Sequence, residues 1–181
     1  MHRKDAGYSC MNDIKIISSV LDLIPFLRDK DGDRFQQSHM IMPFGDGNAI
    51  FDRDANMIAY ADANGIHISC NLDLSRCKSL QSLGNLSSVS GNLYLSYCNM
   101  LSSLGNLSSV SGNLGLYYCE SLQSLGHLRS VSGGLDLYGC EMLASLGNLR
   151  SVSGKIYGIN GCKLINRDAM PSNLKERIAK L

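Results

Sequence analysis

A cysteine recurs every 21 residues at Cys77, Cys98, Cys119 and Cys140, and a further one, Cys162, arrives one residue late. Thiols in series could hold a metal or carry redox chemistry. One thiol per 21 residues lacks the paired C-x-x-C spacing of a zinc site, and the nearest mixed cluster, His67, Cys70 and Cys77, has no ligand spacing either. The expectation is therefore a column of small buried apolar groups with weak S–H donors, and no metal or cofactor. Two acidic stretches, DKDGD at 29–33 and DRDAN at 52–56, invite a calcium reading. An EF-hand loop needs Gly at its sixth position and a carboxylate at its twelfth. Counted from Asp29 those places hold Arg34 and Met40, and from Asp52 they hold Met57 and Ala63. Both stretches read as turns whose Asp side chains satisfy their own backbone. FGDGN at 44–48 lacks the Lys-Ser/Thr of a phosphate loop, no G-x-S-x-G or H-E-x-x-H occurs, and the four His form no motif.

The elements that must position these residues are set by a repeat. NLDLSRCKSLQSLGNLSSVSG (71–91), NLYLSYCNMLSSLGNLSSVSG (92–112), NLGLYYCESLQSLGHLRSVSG (113–133) and GLDLYGCEMLASLGNLRSVSG (134–154) follow one another without insertion, and KIYGINGCKLINRDAM (155–170) is a degenerate fifth unit. Each reads L-x-L-x-x-C-x-x-L-x-x-L-x-x-L-x-x-V. The opening L-x-L alternates like a strand, and the later spacing of three suits coil segments that turn one apolar residue inward. Gly-Asn or Gly-His marks one corner and Ser-Gly another. A unit with one firm strand cannot bury its own apolar row, but stacked units bury it in a continuous column.

The stretch Leu93, Leu95, Cys98, Leu101 and its counterparts resemble the L-x-L-x-x-N/C-x-x-L segment of leucine-rich repeats. The SLGNLSSVSG remainder is similar to coils of receptor L domains, which are right-handed solenoids, and to SLGNLxSVxG arrays of bacterial and phage proteins. The resemblance covers residues 71 to about 165 and implies a mainly β, right-handed parallel β-solenoid, with the cysteine just inside the strand end. It implies no enzyme. The units are too short and too rich in Ser and Gly for an outer helix, so a flat or mildly curved slab is expected.

In that frame Leu72/Leu74, Leu93/Leu95, Leu114/Leu116 and Leu135/Leu137 point inward. The outward middle column is Asp73, Tyr94, Gly115, Asp136 and Tyr157, flanked by Ser75, Ser96, Tyr117 and Tyr138 and then by Arg76, Tyr97, Tyr118 and Gly139. Six of the eight tyrosines, Tyr94, Tyr97, Tyr117, Tyr118, Tyr138 and Tyr157, thus fall on or beside one exposed face. Tyrosine gives large contact area at low entropic cost. The candidate partner-binding residues are these six with Asp73, Asp136 and Arg76, against the alternative that the rings only stack and stiffen the sheet. Strands about 4.8 Å apart, each presenting about 15 Å, give a face of order 350 Å². A stable interface needs about 800 Å² per partner, so coil edges or the N-terminal region must add area.

The ends do not repeat. Residues 1–65 are expected to form a small α+β cap. Within it a helix over 12–24 uses Ile14, Ile17, Leu21 and Ile24 and stops at Pro25, SHMIMPF is a strand, and NAIFDRDANMIAYAD is a hairpin. Residues 66–170 are the solenoid. Residues 171–181 are a capping helix, with Ser172 as N-cap and Leu174, Ile178 and Leu181 on one face. An uncovered first coil could pair edge to edge and make an oligomer.

The net charge is +1, split as −3 over residues 1–70, zero over 71–154 and +4 over 155–181. No field draws in nucleic acid or membrane, and IKIISSVLDLIPFL is too short and interrupted to span a bilayer. With no secretory signal in view and cysteines explained by packing, a cytoplasmic location is expected. The function expected is non-catalytic protein–protein interaction, as an inhibitor, effector or adaptor. The alternatives are an enzyme with its site in residues 1–65, using the acidic clusters and His39, or a glycan-binding module.

Overall fold

The computed structural model describes residues 16–28, 40–44, 47–51 and 55–179. The chain is a parallel β-solenoid of about four coils, mainly β, with one short helix, α1 (Ser172–Lys175), near the C-terminus. Each coil has three walls. The first is the L-x-L strand: β6 (Asn71–Asp73), β8 (Leu93–Tyr94), β10 (Leu114–Gly115), β12 (Leu135–Asp136) and β14 (Ile156–Tyr157), all parallel and in register from Leu72 through Leu93, Leu114 and Leu135 to Ile156. The second wall is the S-L-G corner, joined by single parallel bridges Ser82↔Ser103 and Ser124↔Ser145. The third is also a strand, which the spacing of three had suggested as coil: β7 (Leu86–Val89), β9 (Ser109–Val110), β11 (Ser130–Val131) and β13 (Ser151–Val152). The Ser-Val step pairs with its copies above and below, and that pairing needs only two residues per coil.

The core is the set of repeated apolar letters. Leu72, Leu74, Cys77, Leu80, Leu83, Leu86 and Val89, with their counterparts in the next two coils, are all buried. What locks one coil to the next is polar. Asn71 Oδ1 accepts from the Asn92 N–H at 2.7 Å, Asn92 Oδ1 from Asn113, and Asn113 Oδ1 from Gly134, where the series ends because the fourth unit opens with Gly. The Gly closing each unit is needed for this approach, since a Cβ on Gly112 would lie 2.5 Å from Asn92 Oδ1. At the second wall the Oγ of Ser82, Ser103, Ser124 and Ser145 accepts from the N–H two residues on, at 3.0 Å each. These turns place Gly84, Gly105, Gly126 and Gly147 at φ between +52° and +56°, where glycine is favoured.

That second wall is interrupted once. Coils one and two are joined there by Ser102 N–H and Ser103 N–H to Gln81 O and Asn106 N–H to Gly84 O, and coils three and four by Ala144 and Ser145 N–H to Gln123 O and Asn148 N–H to Gly126 O. Between coils two and three the equivalent bonds to Ser102 O and Gly105 O are absent among the described residues. Accordingly, a Cβ on Gly105 or Gly147 would lie 2.4 Å from the carbonyl oxygen of the preceding coil, whereas one on Gly126 meets nothing within 4 Å.

Pairing closes the first coil and, on the L-x-L wall, the last one, while β13 is the edge strand of the third wall. β1 (Leu27–Arg28) lies antiparallel on β6. Ile16 bridges Ser82, and Ile17 O accepts from Asn85 N–H at 3.1 Å. β2 (Met40–Phe44), β3 (Gly47–Phe51), β4 (Met57–Asp62) and β5 (Gly65–Ile68) form an antiparallel meander whose last strand pairs parallel with β7. All three walls of the first coil are therefore covered by the segments before it, so that coil presents no open edge for self-pairing. The expected strand and hairpin are present as β2 and as β3–β4.

The helix expected over 12–24 is replaced by the bridge at Ile16 and a 3₁₀ helix, Val20–Phe26. The cause is local. Asp22 accepts from the Ser18 and Ser19 N–H groups while Ser19 Oγ accepts from Leu21 N–H, so a capping box starts a new element inside the periodic run. Ile17, Leu23 and Leu27 are buried, and Leu21 is exposed. Residues 29–33, 39 and 52–54, and Ile14 and Leu181, lie outside the described residues. At the other end α1 is one turn long, with Pro171 rather than Ser172 as its N-cap. Leu174 is buried as expected, but Ile178 has left the helix and bridges Ile156, whose carbonyl accepts from Ala179 N–H. The open edge of β14 rewards an extended chain more than another helical turn would. No described helix is long and apolar enough to cross a membrane.

The interruption predicts unequal responses at equivalent glycines. Gly126→Ala should cost about 1 kcal/mol, the left-handed penalty alone. Gly105→Ala should cost about 2–4 kcal/mol because the methyl also meets backbone. Urea unfolding of the two variants measures this, and equal losses would show a second wall bonded throughout.

Candidate functional site: the tyrosine-bearing wall

The L-x-L wall turns its middle residues outward because side chains alternate along a strand. Leu and Leu go into the core, and Asp73, Tyr94, Gly115, Asp136 and Tyr157 face out, half-buried or exposed. Tyr94 and Tyr157 reach over the glycines of neighbouring strands. Tyr94 Cδ1 lies 3.7 Å from where a Cβ on Gly115 would be, and Tyr157 Cε2 stands at the same distance from that of Gly134. Asp73 Oδ1 accepts from Ser75 N–H and Asp136 Oδ1 from Tyr138 N–H, each at 3.0 Å. One oxygen of each candidate carboxylate is thus committed to its own turn.

Directly after the strand the chain turns sharply, and the turning residue takes a left-handed conformation: Arg76 at φ 64°, Tyr97 at 63°, Tyr118 at 56° and Gly139 at 74°. Non-glycine residues are uncommon there, at about 1–2 kcal/mol each. The ladder holds them in place. Arg76 N–H donates to Ser96 O, Tyr97 N–H to Tyr117 O and Tyr118 N–H to Tyr138 O, at 2.7–2.8 Å. Sequence reasoning listed these side chains but missed their backbone state. Its signal was Gly139, the only glycine at this position of the four complete units.

The rings form a connected cluster of four. Tyr97 and Tyr118 stack with planes 2° apart and centroids 5.5 Å apart. Tyr117 meets Tyr118 edge-on at 4.6 Å and Tyr97 at 5.5 Å, and Tyr138 joins Tyr117 at 6.3 Å. The Arg76 guanidinium caps Tyr97 at 5.9 Å. At the other end Tyr118 lies against Gly139, with its Cδ1 only 2.8 Å from where a Cβ would stand. The flat sides of Tyr97 and Tyr118 are thus occupied within the column. Tyr94, Tyr97, Tyr118, Tyr138 and Tyr157 remain 38–43% exposed. Burial within the cluster pushes the Tyr117 phenol above its ordinary value, as do its neighbours Tyr118 and Tyr97, so it stays a neutral O–H group. Tyr94 and Tyr157 stand apart from the four.

The cysteines lie behind this wall. The Sγ of Cys98, Cys119 and Cys140 donates to Leu74 O, Leu95 O and Leu116 O of the preceding coil, each at 3.1 Å. Cys162, displaced by the extra residue of its unit, reaches Leu137 O only at 3.8 Å. Burial raises all the thiol values it dominates: Cys119 strongly, Cys140 to about 12 and Cys162 to about 11. These are neutral packing groups with a hydrogen-bonding use. His67 does not gather with Cys70 and Cys77; it bonds Ser88 and Asp62. No family model, curated protein or solved structure matches this chain.

Two outcomes follow. Tyr118→Ala should lose about 1 kcal/mol of ring packing and keep the strained backbone, whereas Tyr118→Gly recovers about 1 kcal/mol of that strain, so glycine should be the more stable variant in urea unfolding. The raised thiol values stabilise the fold fully below the unfolded value near about 8.5. That contribution is lost as pH rises from there toward about 11 and 12. Thermal scans between pH 7 and 11 should show the loss, and Cys140→Ala should make it shallower.

Proposed function

We propose that this chain is a protein-interaction module of leucine-rich-repeat type, acting as an inhibitor, effector or adaptor by occupying a partner's surface with the tyrosine-bearing wall. No bond is made or broken at that wall. The observation that carries the reading is the left-handed column. Stacking between aromatic rings contributes about 0.5–1.5 kcal/mol per pair, and a surface cation–π contact about 0.5–1. The backbone conformation at Arg76, Tyr97 and Tyr118 costs about 1–2 kcal/mol each. The ladder offsets its own strain and leaves little surplus, so stability gives weak grounds for rings at positions where glycine suffices. Strained residues persist where they serve a site.

The arrangement favours a protein over a sugar. Sugar platforms offer open ring faces, but those of Tyr97 and Tyr118 are covered by Arg76, by each other and by the backbone at Gly139. The column offers ring edges and hydroxyls, the amphipathic contact that protein interfaces use. With β1 added the wall has six strands, or about 430 Å² at the usual strand spacing. Flanking turns must supply the rest of a stable interface.

The test replaces Tyr94, or separately Arg129 on the third wall, with a photo-crosslinking residue in the full chain. The partner captured in the native host is then titrated against wild type and a Tyr97→Gly/Tyr118→Gly variant, whose glycines suit the backbone. Capture from Tyr94 alone and at least a tenfold loss of affinity are expected. Equal affinity, or capture from Arg129 instead, would refute the assignment.

A further inference from the structure

The third wall carries a second arrangement, independent of the tyrosines. Asp62 ends β4, His67 sits in the middle of β5 and Ser88 lies in β7. His67 Nδ1 is 2.7 Å from Ser88 Oγ, and His67 Nε2 is 3.1 Å from Asp62 Oδ1. We propose that Ser88, His67 and Asp62 form a nucleophilic serine site that accepts acyl groups from carboxylic esters, with Ser88 as nucleophile, His67 as general base and Asp62 as positioning residue.

Several features hold the three together. Ile66 and Ile68 are buried, so His67 between them faces outward, its side chain 18% exposed. The pairing of β5 with β7 shifts register at this point: Ile66 is opposite Leu86, yet His67 is opposite Ser88. Without that bulge His67 would meet Ser87. Bulges re-aim side chains in this way and are over-represented beside active sites. Tyr60, across from His67 on β4, stacks on the imidazole at 4.8 Å with planes 22° apart and fixes the ring's orientation. Asp62 is itself held by the tight turn into β5, where its Oδ1 accepts from Asn64 N–H at 2.7 Å. That bond, with the hydrogen bond from His67, keeps the carboxyl below its ordinary value and therefore ionised.

An ionised carboxylate only accepts, so Nε2 must carry the proton it shares with Asp62. In the neutral imidazole Nδ1 is then an acceptor, and Ser88 O–H donates to it. This is the proton placement that nucleophile activation requires. In the step, Ser88 Oγ bonds to the ester carbonyl carbon as its proton passes to Nδ1. The C–O bond to the leaving alcohol breaks, and that oxygen takes the proton from Nδ1. Water, deprotonated by the same nitrogen, then bonds to the acyl carbon; the bond from that carbon to Ser88 Oγ breaks, Nδ1 returns its proton to Ser88 Oγ, and the acid leaves. Asp62 holds the ring through Nε2–H throughout. The side chains are reachable from solvent, so an ester need not enter a closed cavity.

The same wall supplies an internal control. Ser109 stands next to Ser88 in the column, in register and on the same face. The full chain is incubated with p-nitrophenyl acetate, and acetylated peptides are mapped by mass spectrometry over time. Ser88 is expected to gain acetyl about a hundredfold faster than Ser109, the size of general-base assistance, and His67→Gln should slow Ser88 at least tenfold. A ratio of Ser88 to Ser109 below ten in the wild-type chain overturns the proposal whether or not any variant folds. So does an unchanged Ser88 rate in a His67→Gln variant with wild-type circular dichroism.

Discussion

Hydrogen bonding between residues 21 positions apart is the constraint from which the rest follows. Backbone groups of each coil bond those of the next along the L-x-L and Ser-Val walls, and Asn71, Asn92 and Asn113 add a side-chain bond at the same interval. Register of this kind tolerates no insertion within a unit, and residues 71–154 contain none. It fixes the closing glycines, because Asn92 Oδ1 and the Gly91 backbone occupy the space a methyl on Gly112 would need. It also aligns every side chain with its copies. The leucines become columns, the thiols become donors to the coil before, and a tyrosine in one unit stands beside whatever its neighbours carry there.

Alignment makes the outer surface a one-dimensional record of substitutions. Within the left-handed column the order Arg76, Tyr97, Tyr118, Gly139 gives a cation, two stacked rings and a bare backbone on which the last ring rests. The third wall shows the same logic at a boundary. Its serine column runs on from the meander, and at the junction a one-residue slip puts His67 opposite Ser88. Repetition supplies identical hydroxyls, and the irregular join gives one of them a distinct neighbour.

What could be read from the letters was whatever the period exposes. The buried leucines, Cys98, Cys119 and Cys140, and the outward placing of Tyr94 and Tyr157 follow from alternation and alignment alone. Four things did not follow. The left-handed state of Tyr97 and Tyr118 is imposed by the fold against their own preference, so their identity argues against it and only Gly139 hints at it. The acceptor role of the Asn that opens each of the first three units could not be read, because it needs the next coil to be in place. Asp62, His67 and Ser88 share no recognisable spacing, since strand pairing and a bulge bring them together. Both caps depend on whether an open edge is available, which amphipathic periodicity does not report; thus Ile17 and Ile178 pair as extended chain where helices were expected.

The interrupted second wall has a counterpart in the letters. Units one and three read S-L-Q at Ser79–Gln81 and Ser121–Gln123, whereas units two and four read M-L-S and M-L-A from Met100 and Met142. The two glutamine carbonyls are those that bond the following coil, and the break falls where a coil of the second kind meets one of the first. The true module is therefore a cassette of two coils, repeated once, whose internal seam is stitched on three walls and whose outer seam is stitched on two. The array therefore divides at its middle into two coil pairs, joined to each other only through the L-x-L and Ser-Val walls among the described residues.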